Sequence, residues 1–340
     1  MNTQSKLNYL KEVQSELEFS GAYYAKRGNN TLEGSNGFAN RSEKIENEVN
    51  TRFAIASGSK IFTATAICML IEDGKLGFET KLKDCLDIEF PHLDEEITIH
   101  QLLTHTSGVY DYFNEELMDD FEMLWETRPM YHIRSAKDFL PLFQNEKMQA
   151  SMNSPFEYNN SGYILLGLII EHIAECDFAE FVEERIFHKA GMNDSAYCEA
   201  DRLPERTALG YIDDPDGTWK TNVFSLPAKG TSDGGAYTTV EDRVRFWKAL
   251  MNNQLLSKKM TQELLKPRVA VAAEDDIYYG YCGYMELDDR KEVVKFIQMG
   301  YDPGVNFREV YYPDTETAIV VCSNEEEGAY ELLKEIESIL

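Results

Sequence analysis

Phe53-Ala54-Ile55-Ala56-Ser57-Gly58-Ser59-Lys60 runs without a break into the apolar stretch Ile61 to Ile71. That stretch is apolar nearly all round, which predicts a buried helix ending at Gly74 as its C-cap. Ser57 falls at the helix N-terminus, where unpaired backbone N–H groups face any negative charge that develops. Residues three apart share a helix face, so the Lys60 ammonium can reach the Ser57 hydroxyl. An S-x-x-K tetrapeptide arises by chance on the order of once in a chain of this length. Its placement gives it weight, because a lysine at the start of a buried helix is costly unless paired or neutralised.

Outward from this helix, both ends of the chain read as strands. Gly21 to Ala25 and Leu32 to Ala39 flank a Gly28-Asn29-Asn30 turn, which predicts a hairpin. Ile277 to Met285, Glu292 to Gln298, Asn306 to Tyr312 and Thr317 to Cys322 are four more candidates. The turns between them are short, so neighbouring strands are antiparallel. Amphipathic helices open the chain (Leu7, Leu10, Val13, Leu17) and close it (Ala329 to Leu340). A hairpin alone is a poor sheet. The expected fold class is therefore α+β: one antiparallel sheet of about five or more strands, joined from both ends and flanked by the terminal helices. One domain is expected over residues 1–340, with an α/β lobe from residues 1–74 and 266–340 and a mostly helical inserted lobe over residues 75–265. The segment Tyr110 to His132, rich in aromatic and acidic residues, reads as a surface helix in preference to a cleft wall.

Composition narrows the function classes. The 340 residues carry 33 basic and 60 acidic side chains, a net charge of −27. Nucleic acid and anionic membrane would be repelled by that surface, so neither is an expected partner. The longest apolar run, Tyr163 to Ile170, is too short to span a bilayer. Residues 1–18 read as an ordinary helix and no signal peptide is visible. The six scattered cysteines read as free thiols in a reducing compartment, so a cytoplasmic location is expected. No histidine spacing suits a metal, and no cofactor is implied.

A second motif, Phe156-Glu157-Tyr158-Asn159-Asn160-Ser161-Gly162-Tyr163, precedes the apolar helix Ile164 to Ile173. Tyr158 and Asn160 are expected in the connecting loop, facing a cleft. With Ser57 and Lys60 it forms a set that resembles the serine β-lactamase and penicillin-binding-protein superfamily, in its class C β-lactamase-like branch of esterases, D-aminopeptidases and DD-carboxypeptidases. The resemblance covers nearly the whole chain. It also rests on Phe19-Ser20-Gly21-Ala22, Thr51-Arg52-Phe53, Leu102-Leu103-Thr104-His105-Thr106-Ser107-Gly108 and Gly234-Gly235-Ala236-Tyr237-Thr238-Thr239-Val240-Glu241-Asp242. Ser232-Asp233-Gly234 looks like the S-D-N motif of other branches but lacks the Asn, and Tyr158-Asn159-Asn160 takes that place.

The resemblance implies an acyl-enzyme mechanism with Ser57 as nucleophile and Lys60 and Tyr158 as the other catalytic groups. Either Lys60 or Tyr158 takes the serine proton. The backbone N–H groups of Ser57 and Tyr301 would form the oxyanion hole, and Asn160 would hold the acyl side of the substrate. His105 is implied as structural support. The third family motif, K-T-G or H-x-G on a strand that binds substrate, corresponds to Gln298-Met299-Gly300, which the resemblance implies as substrate-binding with Asn160; Gly300 fits and the other two depart from it. The missing positive charge and hydroxyl favour an ester, amide or D-peptide substrate, as for an esterase or a D-amino-acid peptidase or amidase. A true β-lactamase or DD-carboxypeptidase acting on β-lactams or D-peptides is the alternative. A penicillin-binding or sensor module with little turnover is the rival of another class.

Overall fold

The computed structural model describes residues 1–340 apart from 115–117, 119–120, 127, 273–275 and 282. Its centre is an eight-stranded antiparallel sheet. Two strands come from the start of the chain, β1 (Gly21–Arg27) and β2 (Asn30–Asn36). Six come from its end: β3 (Val269–Ala272), β4 (Ile277–Tyr279), β5 (Tyr284–Leu287), β6 (Val293–Asp302), β7 (Val305–Tyr312) and β8 (Thr317–Ser323). The order across the sheet is β2-β1-β8-β7-β6-β5-β4-β3, so β1 and β8 join the two ends of the chain. The fold is α+β, as the turn lengths implied.

Both faces of the sheet are covered, which explains the continuous apolar run in β8. Ile319 and Val321 point to the terminal helices α1 (Thr3–Glu16) and α5 (Ala329–Ile339), where they meet Leu10, Val13, Leu332 and Ile336. Ala318, Val320 and Cys322 point the other way, into a core shared with α2 (Lys60–Glu72), α3 (Asn160–Ala174) and α4 (Val240–Met251). The alternation is the period-two pattern of a strand with a hydrophobic layer on each side.

Three expectations are corrected. Ile277 to Met285 is not one strand but the hairpin β4–β5, because Gly280 and Gly283 turn the chain between Tyr279 and Tyr284; Cys282 lies outside the described residues. Val269–Ala272 adds an edge strand that its small, partly exposed side chains did not announce. Within residues 110–132, the described part holds two short 3₁₀ turns, Phe121–Trp125 and Met130–His132, and no long helix. Tyr112 and Trp125 are drawn inward while Tyr131 stays exposed; the Trp125 indole N–H donates to the Ser225 carbonyl at 2.8 Å.

Candidate active site

Ser57 does not sit on the α-helix itself but in a 3₁₀ turn, Ala56–Ser59, that feeds directly into α2. Ala56 holds a left-handed φ of 45°, a conformation that costs a non-glycine residue on the order of 1 kcal/mol or more. The glycine-rich stretch holds it there. Phe53–Ala54 pairs with Tyr237–Thr238, the Ile55 N–H donates to the Ala236 carbonyl at 3.0 Å, and the Gly235 N–H donates to the Ala56 carbonyl at 3.2 Å. A Cβ on Gly235 would lie 2.7 Å from the Gly230 Cα, so this approach requires glycine.

Lys60 is 4% exposed and its charge is fully engaged. Its Nζ donates to Ser57 Oγ at 3.0 Å, to Asn160 Oδ1 at 2.8 Å and to the Asp233 carbonyl at 2.6 Å. The same nitrogen lies 5.0 Å from the centre of the Tyr158 ring and 5.4 Å from that of Tyr163, within cation–π range. Ser57, Lys60, Tyr158 and Asn160, far apart in sequence, therefore converge. Asn160 is the first residue of α3 rather than a loop residue, and Asn159 is the N-cap, its side chain accepting from the Gly162 N–H at 2.7 Å.

His105 stands behind Tyr158. The two rings stack at 4.6 Å, and the Asn159 N–H donates to His105 Nδ1 at 3.0 Å. With Nδ1 accepting, the proton resides on Nε2, which donates to the Tyr279 hydroxyl at 3.1 Å. Burial holds the imidazole well below its usual pKa, and the Lys60 charge adds to the effect, so the ring is neutral.

On the other flank, β6 passes the nucleophile turn at close range. A Cβ on Gly300 would overlap the Ile55 carbonyl oxygen and reach 2.9 Å from the Gly58 nitrogen. Strand β5 pairs with β6 only from Val293 to Ile297, so Gln298 to Asp302 have β7 on one side and no further strand on the other among the described residues. Tyr301 and Ser57 line the same cavity, of about 470 Å³. Gln298 and Met299 are not in its lining: Gln298 is buried, close against Gly283, and Met299 is 37% exposed on the face opposite Gly300.

Several contributors escaped the sequence reading. Phe113, Met118, Phe121 and Phe139 form an apolar wall of the cavity, so the 110–132 segment serves partly as the cleft wall. Asp233, set aside as part of a look-alike motif, reaches Lys60 through its backbone carbonyl, while its carboxylate accepts from Thr231 Oγ1 at 2.7 Å and from the Tyr112 hydroxyl. A backbone contact leaves no trace in residue type. The buried carboxylate of Asp111 receives the Asn160 N–H at 2.9 Å, and a single acid within an aromatic run gave no signal. The charged side chains lining the cavity are Asp233, Asp302 and Glu326, and among the described residues no lysine, arginine or histidine lines it.

The family model described as Beta-lactamase matches residues 10–337. Penicillin-binding protein 4* of Bacillus subtilis is 31% identical over 357 residues, covering 100% of this chain and 76% of that protein. The crystal structure of a penicillin-binding protein from Bacillus halodurans superposes with a TM-score of 0.93 at 50% identity, covering 97% of this chain and 100% of that one. The D-amino acid amidase from Ochrobactrum anthropi SV3 shares the fold at 21% identity, with a TM-score of 0.79 and coverage of 99% and 98%.

Proposed function

The chain belongs to the Beta-lactamase family, and on that premise we propose that it is a serine hydrolase of the esterase or D-amino-acid peptidase and amidase type, working through an acyl-enzyme on Ser57. Family and relatives support a serine hydrolase on this fold in general terms. The observation that carries the finer reading is the 3.0 Å path between Lys60 Nζ and Ser57 Oγ, at the edge of a cavity with acidic and apolar walls and no basic lining residue.

The lysine ammonium donates to the serine oxygen; once deprotonated, the amine accepts the serine proton along the same path. Ser57 Oγ then attacks a carbonyl carbon. The oxyanion is received by the Ser57 and Tyr301 N–H groups, the second carried by the strand edge that Gly300 brings against the turn. Lys60 returns the proton to the leaving group, and water releases the acyl group by the reverse sequence. Tyr158, its ring beneath the lysine and backed by neutral His105, completes the catalytic set and supports the ammonium that forms. Asn160 holds the acyl side. The acidic walls disfavour substrates with a carboxylate at that end and suit neutral esters or amine-bearing amides. Gln298 and Met299, outside the cavity lining, provide no cation to offset this. Cys68, Cys85, Cys176, Cys198 and Cys322 are free, which supports a reducing location. No helix among the described residues is long and apolar enough to cross a membrane.

The test is the intact-protein mass after incubation with a fluorophosphonate. A single adduct is expected on the wild type and none on Ser57→Ala, whose turnover of the ester or amide substrate should fall by about 10⁶. A Ser57→Ala variant keeping a tenth of the activity would sink the reading. A second reading, penicillin binding or DD-carboxypeptidase activity, is favoured by the names of the two relatives with 31% and 50% identity. Covalent labelling by a fluorescent penicillin, lost in Ser57→Ala, would select it.

A further inference from the structure

Asp111 is 3% exposed and stands one residue behind the reacting groups, touching none of them. Its Oδ1 accepts from the Asn160 N–H at 2.9 Å and the Ser161 N–H at 3.2 Å, in the first turn of the fifteen-residue helix α3. Its Oδ2 accepts from the Asn160 side-chain Nδ2 at 3.3 Å. The other end of that amide, Oδ1, receives Lys60 at 2.8 Å. A carboxylate only accepts and an ammonium only donates, whereas an amide does either depending on how it is turned. Wedged between the two, the Asn160 amide has one orientation that satisfies both ends.

We propose that Asp111 is a positioning residue for the lysine, its carboxylate setting the orientation of the Asn160 amide and through it the pH at which Lys60 gives up its proton. The proposal rests on Lys60 serving Ser57 as described above. Replacing the carboxylate by a donor turns the amide over, so that it presents N–H to Lys60. Loss of the negative charge acts in the same direction, because each change disfavours the ammonium. Lys60 also faces the Ser57 hydroxyl, the Asp233 carbonyl and the Tyr158 and Tyr163 rings, with neutral His105 behind. The Asp233 carboxylate is turned to Tyr112 and Thr231, and the Tyr112 hydroxyl, next in sequence to Asp111, is spent on Asp233. Burial pushes the Asp111 carboxyl up to about 7, against the pull of the Ser161 and Asn160 N–H groups and the Lys60 charge. Above about pH 7 Asp111 is therefore a carboxylate and holds the amide as described.

The experiment follows the Lys60 ε-carbon by NMR across a pH titration of the full-length protein labelled at its lysine ε-carbons, with the signal assigned by its loss in Lys60→Arg. In Asp111→Asn the Lys60 midpoint should fall by about one pH unit or more. Asn160→Ala keeps Asp111 on the helix N–H groups and removes only the amide bridge. It should move the midpoint in the same direction, and it decides the matter where Asp111→Asn does not fold. An unmoved midpoint in a folded variant overturns the proposal. Fluorophosphonate labelling of the wild type separates the two readings. No adduct, with a midpoint that still answers to Asp111, removes the catalytic assignment alone; an adduct with an immovable midpoint removes the positioning role alone.

Discussion

Two buried side chains on either side of the lysine titrate in opposite senses. His105 stays neutral when folded, so below about pH 6.5 the unfolded chain binds a proton that the native state refuses. Its contribution to stability is present above that pH and is lost on acidification, at about 1.4 kcal/mol per pH unit. Asp111, raised to about 7, binds its proton in the native state first. Its contribution is complete below about pH 4 and is lost as the pH rises towards 7, with the same slope and the reverse sign. Just below about pH 6.5 the two therefore oppose one another. Urea midpoints across that range should therefore rise on acidification in His105→Asn and fall in Asp111→Asn, each relative to the wild type. Parallel curves for all three proteins would show that neither group is perturbed as described.

Elements decide how closely the reacting groups are held. Strand β6 meets the nucleophile turn backbone to backbone at Gly300, where no rotamer can relieve an added Cβ. Gly300→Ala should push the strand away and slow fluorophosphonate labelling of Ser57 by about 10²-fold or more, the scale of losing one oxyanion donor. A folded variant that labels at the wild-type rate would mean that this edge takes no part. Behind the same turn, a Cβ on Gly58 would overlap the Phe307 ring, and Phe307 packs with Phe62 and Phe246 around the Arg243 guanidinium at 4.8–5.4 Å. Arg243 of α4 and Glu309 of β7 are both fully buried and form a two-point ion pair that ties helix to sheet. Removing one partner strands the other charge without water. Glu309→Ala should cost about 3–5 kcal/mol by urea denaturation, and replacing both partners with apolar residues should recover much of it.

Across the whole molecule, one hydrophobic cluster runs from the sheet (Ala22, Phe296, Val320) through α2 to the middle of the chain (Phe139, Leu165, Ile186). We therefore propose that residues 1–340 unfold as one domain, the sheet-forming ends together with the middle. Far-ultraviolet circular dichroism and the fluorescence of Trp125, Trp219 and Trp247 should give one shared urea transition. Two separated midpoints would mark the middle, residues 75–265, as an independent unit. The sheet itself closes by pairing β1 with β8, whose partners Gly21 and Ser323 lie at opposite ends of the sequence.

Periodicity and turn chemistry were enough to read the α+β class, the hairpin at the start of the chain and the strands that became β6, β7 and β8, because each is a local pattern of which face is apolar. Spacing also marked Ser57 with Lys60, since three residues along a helix bring two side chains together wherever the helix lies. The family resemblance added Tyr158 and Asn160. The tertiary structure alone decided what those side chains touch. It turned the Asp233 carbonyl and the Asn160 amide onto Lys60, put the uncharged face of His105 behind Tyr158, drew Tyr112, Phe113 and Phe121 into the cavity wall and kept Gln298 and Met299 out of its lining. Local spacing carries information about neighbours along the chain. The charge state and reach of a buried lysine depend instead on distance, desolvation and the orientation of groups distant along the chain, which are brought together only once it has folded.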